Sequence, residues 1–170
     1  MTQFKTNFSE YSLDVKPSDW TNRWNASGEQ FSVISEESDT VGGKVLKIDV
    51  ASSSCKGLSW DDVGTPHDVE IFGRVRNENA YYSNAYLIAR GFGDIGNESC
   101  YRFLITTDRF FVAKYDNGSG SSVGDFGAAL DNTWYNVRFR ISGEEIKAKA
   151  WTEEEDEPAS WDLEEIDSSL

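Results

Sequence analysis

Two carboxylates at alternating positions are the first residues in this chain whose spacing could support catalysis. Asp68 and Glu70 open a segment, residues 68–76, in which apolar and polar side chains alternate. Side chains two residues apart project from the same face of a β-strand. Two carboxyl groups on one face could cleave a glycosidic bond, because one can donate a proton while the other attacks or activates water. This pair is therefore the first candidate for an active site.

Oxygen-rich loops offer a second kind of chemistry, the binding of calcium. Asp94, Asn97 and Glu98 lie close together in a Gly-rich stretch, and a similar group falls within residues 116–125. Calcium requires six to eight oxygen ligands from a loop that folds around it. Neither group has the spacing of a known calcium loop, so we expect ordinary turns here. We predict no metal site and no cofactor, with calcium at Asp94, Asn97 and Glu98 as the alternative.

A cluster of aromatic residues suggests a site for a glycan. Tyr81 and Tyr82 lie in a polar loop, Arg90 and Phe92 follow a short apolar segment, and Trp60 could join them. Sugars bind to exposed aromatic faces that have hydrogen-bonding side chains nearby. Adjacent tyrosines in a loop also commonly shield the edge of a sheet. The sequence leaves both interpretations open, and these five residues are the predicted glycan contacts.

The cysteines and the single histidine exclude a zinc site of the Cys/His type. Cys55 and Cys100 form no C-x-x-C pair, and His67 is the only histidine. One disulfide and two free thiols are equally compatible with this pattern. The beginning of the chain has no apolar run of signal-peptide type, and no stretch approaches the ~20 apolar residues of a membrane span. We expect no membrane insertion.

The acidity of the chain is concentrated at one end. The formal net charge is −14, and nine of the 30 acidic residues follow position 152, where there is no base. The five consecutive residues 153–157 are all acidic and lack alternating apolar partners, so we expect a solvated turn. Nucleic acid is excluded as a partner because phosphate binding needs a concentrated basic surface.

The longest alternating pattern spans residues 134–152. Apolar side chains occupy every second position both before and after a Gly-containing turn at residues 142–145. This pattern predicts two half-buried antiparallel strands. The intervening positions are basic in both strands, so their ionic partners must come from neighbouring strands.

The rest of the chain follows a similar plan. Other segments that we predict to be strands are residues 30–34, 44–50, 69–76, 85–90, 101–105 and 110–115. The Gly/Ser-rich residues 116–127 indicate a surface loop. We therefore predict an all-β fold of about ten to twelve short strands in two packed sheets, forming one domain across residues 1–170.

The predicted hairpin carries a recognisable motif. The pattern W-Y-x-V-R-F-R-x-x-G-x-x-x-K-A-x-x-W, from Trp134 to Trp151, is followed by E-P-x-x-W at residues 157–161. It resembles the LamG-like branch of the concanavalin A-like lectin/glucanase domains, as do AYLIAR at 85–90 and YRFLITTD at 101–108. The resemblance implies an antiparallel two-sheet jelly-roll sandwich. The pieces FSEY at 8–11 and PSDW at 17–20 are similar to domains of bacteriophage virion proteins.

The resemblance also bears on catalysis and on the end of the fold. Glucanase relatives carry three alternating acids, E-x-D-x-x-E, whereas Asp68 and Glu70 have no third. We therefore expect Asp68 to end a loop and Glu70 to lie on a solvated face, and we predict no catalytic residue and no enzyme. Related domains continue with a final strand beyond the position of Asp167. The sandwich could thus lack its last strand and leave an edge open beside residues 4–8, which invites strand addition.

These observations predict a non-enzymatic structural protein of a bacteriophage virion. It would be a tail, fibre or capsid-decorating component that forms oligomeric assemblies with other virion proteins and could attach to a surface. The alternative is a carbohydrate-binding module that recognises a host or environmental glycan. A glycoside hydrolase is disfavoured by the missing third carboxylate.

Overall fold

Twelve strands account for the regular structure in a computed structural model that describes residues 3–24, 31–38, 42–49, 56–78 and 84–170. Those residues also contain a 3-10 turn at Asp61–Val63 but no α-helix. The strands are β1 (Trp20–Arg23), β2 (Phe31–Ser35), β3 (Lys44–Ile48), β4 (Gly57–Trp60), β5 (Val69–Arg76), β6 (Ala85–Phe92), β7 (Ser99–Ile105), β8 (Phe110–Asp116), β9 (Ser119–Phe126), β10 (Trp134–Ser142), β11 (Glu145–Thr152) and β12 (Leu163–Ile166).

The strands fall into two compact units, residues 1–64 and 65–170, and each unit is described by itself. In the first unit β1 pairs with β4 and β2 pairs with β3, both antiparallel. Trp20 and Trp60 are direct cross-strand partners, and their rings stack with centroids 5.5 Å apart. Residues 4–8, where the sequence suggested an open sheet edge, form no strand. The expectation of one domain across residues 1–170 remains a prediction.

The second unit is a sandwich of two antiparallel four-stranded sheets. The front sheet has the order β12-β11-β10-β5, and the back sheet has the order β6-β7-β8-β9. Strand β10 is central, since it pairs along its length with β11 on one side and with β5 on the other. The predictions of an all-β chain and of two packed antiparallel sheets are confirmed. The finer assignment, a concanavalin A-like jelly roll, stays a prediction.

The core of the sandwich follows directly from the alternation in β10. Every inward-facing side chain of this strand, from Tyr135 to Ile141, is at most 5% exposed. The back sheet meets this face with large rings, and Phe103 lies 6.1 Å from Phe139 between ring centroids. Phe103 also packs against Phe110 and Phe126, each with a centroid separation of 6.0 Å. Aromatic rings that bridge the sheets therefore hold the sandwich together.

A tight turn joins the two strands of each main hairpin. Strands β8 and β9 are joined by Asn117 and Gly118, whose φ angles are 46° and 78°. Positive φ at both central residues is the requirement of a type I′ turn, which Asn-Gly satisfies best. The predicted β10–β11 hairpin is confirmed, with Gly143 at φ 57° in its turn. These turns fix the register of both hairpins.

Replacing Gly118 tests whether the β8–β9 turn is constrained by its surroundings. A Cβ at this position would overlap the carbonyl oxygen of Gly96 and would also adopt a left-handed backbone conformation. We expect Gly118→Ala to lower the free energy of unfolding by about 2–4 kcal/mol, as measured by urea denaturation. Gly143→Ala is the matched control, because its φ is also positive but no atom lies within 4 Å of the added Cβ. It should cost only about 1 kcal/mol. Equal losses for the two variants would show that Gly96 does not confine the turn.

Candidate functional site

The predicted glycan contacts belong partly to different units of the chain and partly to residues outside the described structure. Trp60 belongs to the first unit, where it stacks on Trp20 and donates a hydrogen bond from Nε1 to Asp19 at 3.1 Å. Arg90 and Phe92 lie on β6 in the second unit. Tyr81 and Tyr82 lie outside the described residues. Only Arg90 and Phe92 can therefore be compared within one unit, and the five-residue glycan cluster stays a prediction.

Arg90 connects three separate segments of the sandwich. Its guanidinium donates hydrogen bonds to the backbone carbonyls of His67, Gly143 and Leu170 at 2.6–2.7 Å. Only 7% of the side chain is exposed. The head group thus ties the loop before β5, the β10–β11 turn and the last residue to β6. Little of it is accessible to a ligand, whereas Phe92 is 60% exposed.

The last four residues close one end of the sandwich. The Asp167 amide donates to the Glu144 carbonyl at 2.9 Å, while Lys114 of the back sheet donates to Asp167 at 2.9 Å and to Ser169 at 2.7 Å. Burial alone would raise the pKa of Asp167. Hydrogen bonds from Ser169 and Lys114 outweigh that effect and lower the pKa from 3.8 to about 2. Asp167 is therefore a charged link between the two sheets.

The Asp68–Glu70 pair takes part in contacts with the β10–β11 hairpin. Asp68 accepts a hydrogen bond from the Gly143 amide at 2.8 Å, and Glu70 accepts one from Arg138 at 2.6 Å. Glu70 is an exposed residue whose side chain, 29% exposed, pairs with the Arg138 cation on the same face. Both carboxylates have structural partners of the kind that hold a strand in register.

The acidic run at residues 153–157 covers part of the outer face of the front sheet. Glu153 pairs with Arg74 at 2.6 Å, and Glu157 pairs with both Arg138 and Lys149 at 2.8 Å. Arg138 holds the pKa of Glu157 below its usual value, with Lys149 contributing next. The expected solvated turn is present, since the chain turns at residues 153–155 and residues 154–157 are exposed, and Glu153 and Glu157 additionally form ion pairs with the front sheet. The basic face of the hairpin finds much of its counter-charge in this loop, and not only on neighbouring strands as the sequence suggested.

One of the three calcium candidates, Glu98, belongs to a buried ion pair. Glu98 is 5% exposed, and its two carboxylate oxygens accept hydrogen bonds from Arg102 at 2.9 Å and from the Gly96 amide at 2.6 Å. Burial opposes the ionisation of Glu98, but hydrogen bonds from backbone amides and from Arg102 keep its pKa below the usual value. Within the described ranges, no group of three or more His, Cys, Asp or Glu side chains could hold a metal ion.

Cys100 lies beside this buried ion pair. Its Sγ accepts a hydrogen bond from Arg102 Nε at 3.2 Å, and the guanidinium stacks 3.6 Å from the ring centroid of Tyr115. Cys100 is fully buried. Cys55 lies outside the described residues, so both disulfide alternatives stay open.

A cleft at one end of the sandwich brings together residues that the sequence analysis did not combine. It has a volume of about 430 Å³ and lies where β8 and β10 begin and β9 and β11 end. Phe110, Phe126, Tyr135 and Trp151 line it, and Phe110 meets Tyr135 edge-to-face at 4.9 Å between centroids. The four rings belong to four strands whose ends meet only in the folded sandwich. We call this feature the end cleft.

Two carboxylates stand at the rim of the end cleft. Glu155 Oε2 accepts hydrogen bonds from the Thr152 amide and hydroxyl at 2.9 and 2.8 Å, and Asp162 Oδ2 accepts one from the Ala150 amide at 3.1 Å. Their other oxygens, Oε1 and Oδ1, accept no hydrogen bond from the described residues. The hydrogen bonds from Thr152 lower the pKa of Glu155, so this carboxylate is ionised at neutral pH. No Lys, Arg or His lines the cleft within the described part of the chain.

Strand β9 forms an edge of the back sheet, although its sequence indicated a loop. Its Gly and Ser residues have low β propensity, yet β9 pairs with β8 from Ser119 to Phe126 because the Asn-Gly turn directs the chain back along it. Residues 119–122 are exposed, and no strand of the described residues pairs with the other edge of β9. The strand has no proline and no charge before Asp125. Residues 119–124 therefore lack the charge and proline that commonly protect an edge strand, and the one irregularity of the ladder lies between Ser122 and Gly124.

Comparison with known proteins finds no matching family model, no matching curated protein and no matching solved structure. Among the residues with a described structure, no helix has the length and apolar character needed to span a bilayer. The family resemblance of the hairpin motif is thus carried by its own residues alone.

The pH dependence of folding tests the closing role of Asp167. Because the folded pKa of about 2 lies below the ordinary 3.8, its stabilisation is present above about pH 4 and is lost as the pH falls through 2. With an allowance for its partial exposure, this effect amounts to about 1–2 kcal/mol. We expect Asp167→Asn to lose that amount at pH 7 and little at pH 2, in urea denaturation at each pH. Glu165→Gln, an exposed change nearby, serves as the control. A loss for Asp167→Asn that is equal at both pH values would exclude the charge as its cause.

Proposed function

We propose that this chain is a non-enzymatic structural component of a bacteriophage virion, in a tail, a fibre or a capsid decoration, and that it acts by assembly with other chains. The resemblance of its N-terminal pieces, FSEY and PSDW, to virion domains supports the setting, and the LamG-like hairpin motif is in keeping with it. The sandwich supports the non-enzymatic part, because Asp68 and Glu70 each bind a partner within the fold. Virion proteins would be its partners.

The edge of β9 is the observation that carries the assembly proposal. An exposed edge presents unpaired N–H and C=O groups, which form a template for a strand from another chain. Natural edges are usually blocked by lysine, proline or inward-pointing charge, whereas residues 119–124 contain only Ser, Gly and Val. Such an edge suits a protein whose partner strand arrives during assembly.

Carbohydrate binding is the second candidate, and the exposure of Phe92 favours it. This ring is 60% exposed at the end of β6, next to the polar loop at residues 93–98. Exposed rings with nearby polar groups are the stacking surfaces that saccharides use. Phe92 would then attach the protein to a surface glycan.

Blocking the β9 edge tests assembly. In sedimentation equilibrium at high protein concentration we expect the wild-type chain to form oligomers. Ser122→Lys should raise the dissociation constant about tenfold or more, because a buried lysine charge opposes strand addition. Ser122 is cross-strand to Ala113, so no charged neighbour in the ladder complicates the change. Ser160→Lys, the same substitution in an exposed loop, is the control. A wild-type protein that stays monomeric at the highest concentration would disprove the assembly proposal.

Removing the ring of Phe92 tests the second candidate on a glycan array. We expect any saturable glycan signal to fall about tenfold or more in Phe92→Ala, since stacking contributes much of the binding free energy of a single sugar. Phe72→Ala removes a ring of similar exposure, 53%, from the outer face of the front sheet, and it is the matched control. Stable oligomers without a glycan signal would support the assembly proposal and exclude carbohydrate binding. Glycan binding by a monomer would support carbohydrate binding and exclude assembly.

A further inference from the structure

We propose that the end cleft binds a lysine side chain presented by an extended segment of a partner protein. This inference rests on the proposed assembly function and names the chemistry of one of its contacts. The cleft combines aromatic rings with carboxylates and has no cation among the described residues of its lining. Its volume of about 430 Å³ falls in the range of small-molecule sites, so it can take the alkyl stem of a lysine together with adjacent backbone.

The rings favour a cationic group. Aromatic faces carry negative charge density and attract an ammonium within about 6 Å of the ring centroid. Phe110, Tyr135 and Trp151 are each at most 6% exposed and form the closed inner wall of the cleft, whereas Leu130 is 65% exposed and can cover the alkyl stem of a bound side chain. The attraction of an ammonium to the rings is therefore an addition to its pairing with the rim carboxylates.

The rim carboxylates add the counter-charge. Glu155 and Asp162 each have one oxygen that accepts no hydrogen bond from the described part of the chain, and these two oxygens can accept bonds from a ligand. An anion would be repelled here. A neutral saccharide could use the rings, but it would gain nothing from the ionised state of Glu155. A positively charged group is attracted both to the rings and to the rim carboxylates.

The arrangement of the oxygens favours lysine over arginine. A guanidinium pairs best with both oxygens of one carboxylate in a parallel fork. In Glu155 and Asp162, one oxygen of each is already bonded to the backbone near Thr152 or Ala150. Two single oxygens from separate carboxylates suit an ammonium, which is a compact charge with three donors.

The same combination of groups already holds a lysine elsewhere in this fold. Lys149 Nζ lies 5.0 Å from the ring centroid of Trp161 and 5.8 Å from that of Trp151, and it pairs with Glu157 at 2.8 Å. Its side chain is only 7% exposed. The protein thus stabilises a nearly buried ammonium between aromatic rings and a carboxylate. Trp151 is common to both places, and the lining of the end cleft combines it with further rings and two carboxylates without a lysine from the described residues.

The experiment uses the full-length chain and three blocked peptides, acetyl-Gly-Lys-Gly-amide and its norleucine and arginine counterparts. Binding is followed by amide and indole chemical shifts in NMR titrations. We expect the lysine peptide to shift signals of Leu130, Thr152 and Trp151, with a dissociation constant of about 1–10 mM. The norleucine peptide, which keeps the stem but lacks the charge, should bind about tenfold more weakly. Added salt should weaken lysine binding.

Two neutralising variants identify the counter-charge. Glu155→Gln and Asp162→Asn keep an oxygen that can accept the backbone hydrogen bond, so the loop is retained while the charge is lost. Combined, they should weaken lysine binding about tenfold. Glu154→Gln combined with Glu165→Gln makes the same change in net charge outside the cleft, and it should leave binding unchanged.

Three results would overturn the proposal. These are no shift from the lysine peptide, equal binding of the lysine and norleucine peptides, or lysine binding that survives Glu155→Gln with Asp162→Asn. Shifts of the same residues by a neutral disaccharide in place of the lysine peptide would assign the cleft to glycan. The test is separate from that of assembly, because Ser122→Lys changes the β9 edge and leaves the cleft intact. Self-association that depends on Ser122 without lysine binding would disprove the cleft proposal alone.

Discussion

The placement of Glu157 between Arg138 and Lys149 is the contact on which the second unit depends most. Lys149 is almost fully buried, with 7% of its side chain exposed, and it has the Glu157 carboxylate and the Pro158 carbonyl as partners. Removing the partner of a fully buried charge costs about 3–5 kcal/mol, and the 39% exposure of Glu157 reduces that cost here. Glu157 also binds Arg138 through both oxygens, at 2.8 and 2.9 Å. One carboxylate therefore neutralises two cations from adjacent strands and fixes the loop above them.

The path of that loop positions the rest of the chain. Because residues 153–161 lie against the outer face of the front sheet, the chain returns beside β11 in time for β12 to pair with it. The same path sets Glu155 and Asp162 at the rim of the end cleft. It also delivers Asp167 to Lys114 and Leu170 to Arg90 at the far end of the sandwich. Residues of the acidic segment after position 152 thus contribute to both ends of the sandwich.

The parts of the fold that could be predicted are those encoded in local pattern. The alternation from Tyr135 to Ile141 identified β10, and the Gly-containing turn identified the hairpin, because burial of one face and turn chemistry are local properties. Strand β9 was missed since its Gly/Ser composition carries no alternation, and its pairing with β8 is decided by the neighbouring strand. The end cleft was missed for a related reason. The alternation correctly places Tyr135 in the core, but the ends of four strands become neighbours only through the sheet order.

The acidic residues after position 152 have two different roles in the second unit. Among the nine acidic residues after position 152, Glu153, Glu157, Glu164 and Asp167 form ion pairs with bases of the two sheets. Glu155 and Asp162 have a different role, since each uses one oxygen to hold the backbone and leaves the other at the cleft rim. A carboxylate placed beside aromatic rings without a cation raises the local negative potential. Because the remaining acids of the segment are either paired or directed to solvent, this potential is concentrated at the cleft. The acidic segment therefore neutralises the front sheet and, at the same end of the sandwich, creates the surface that a positive partner would recognise.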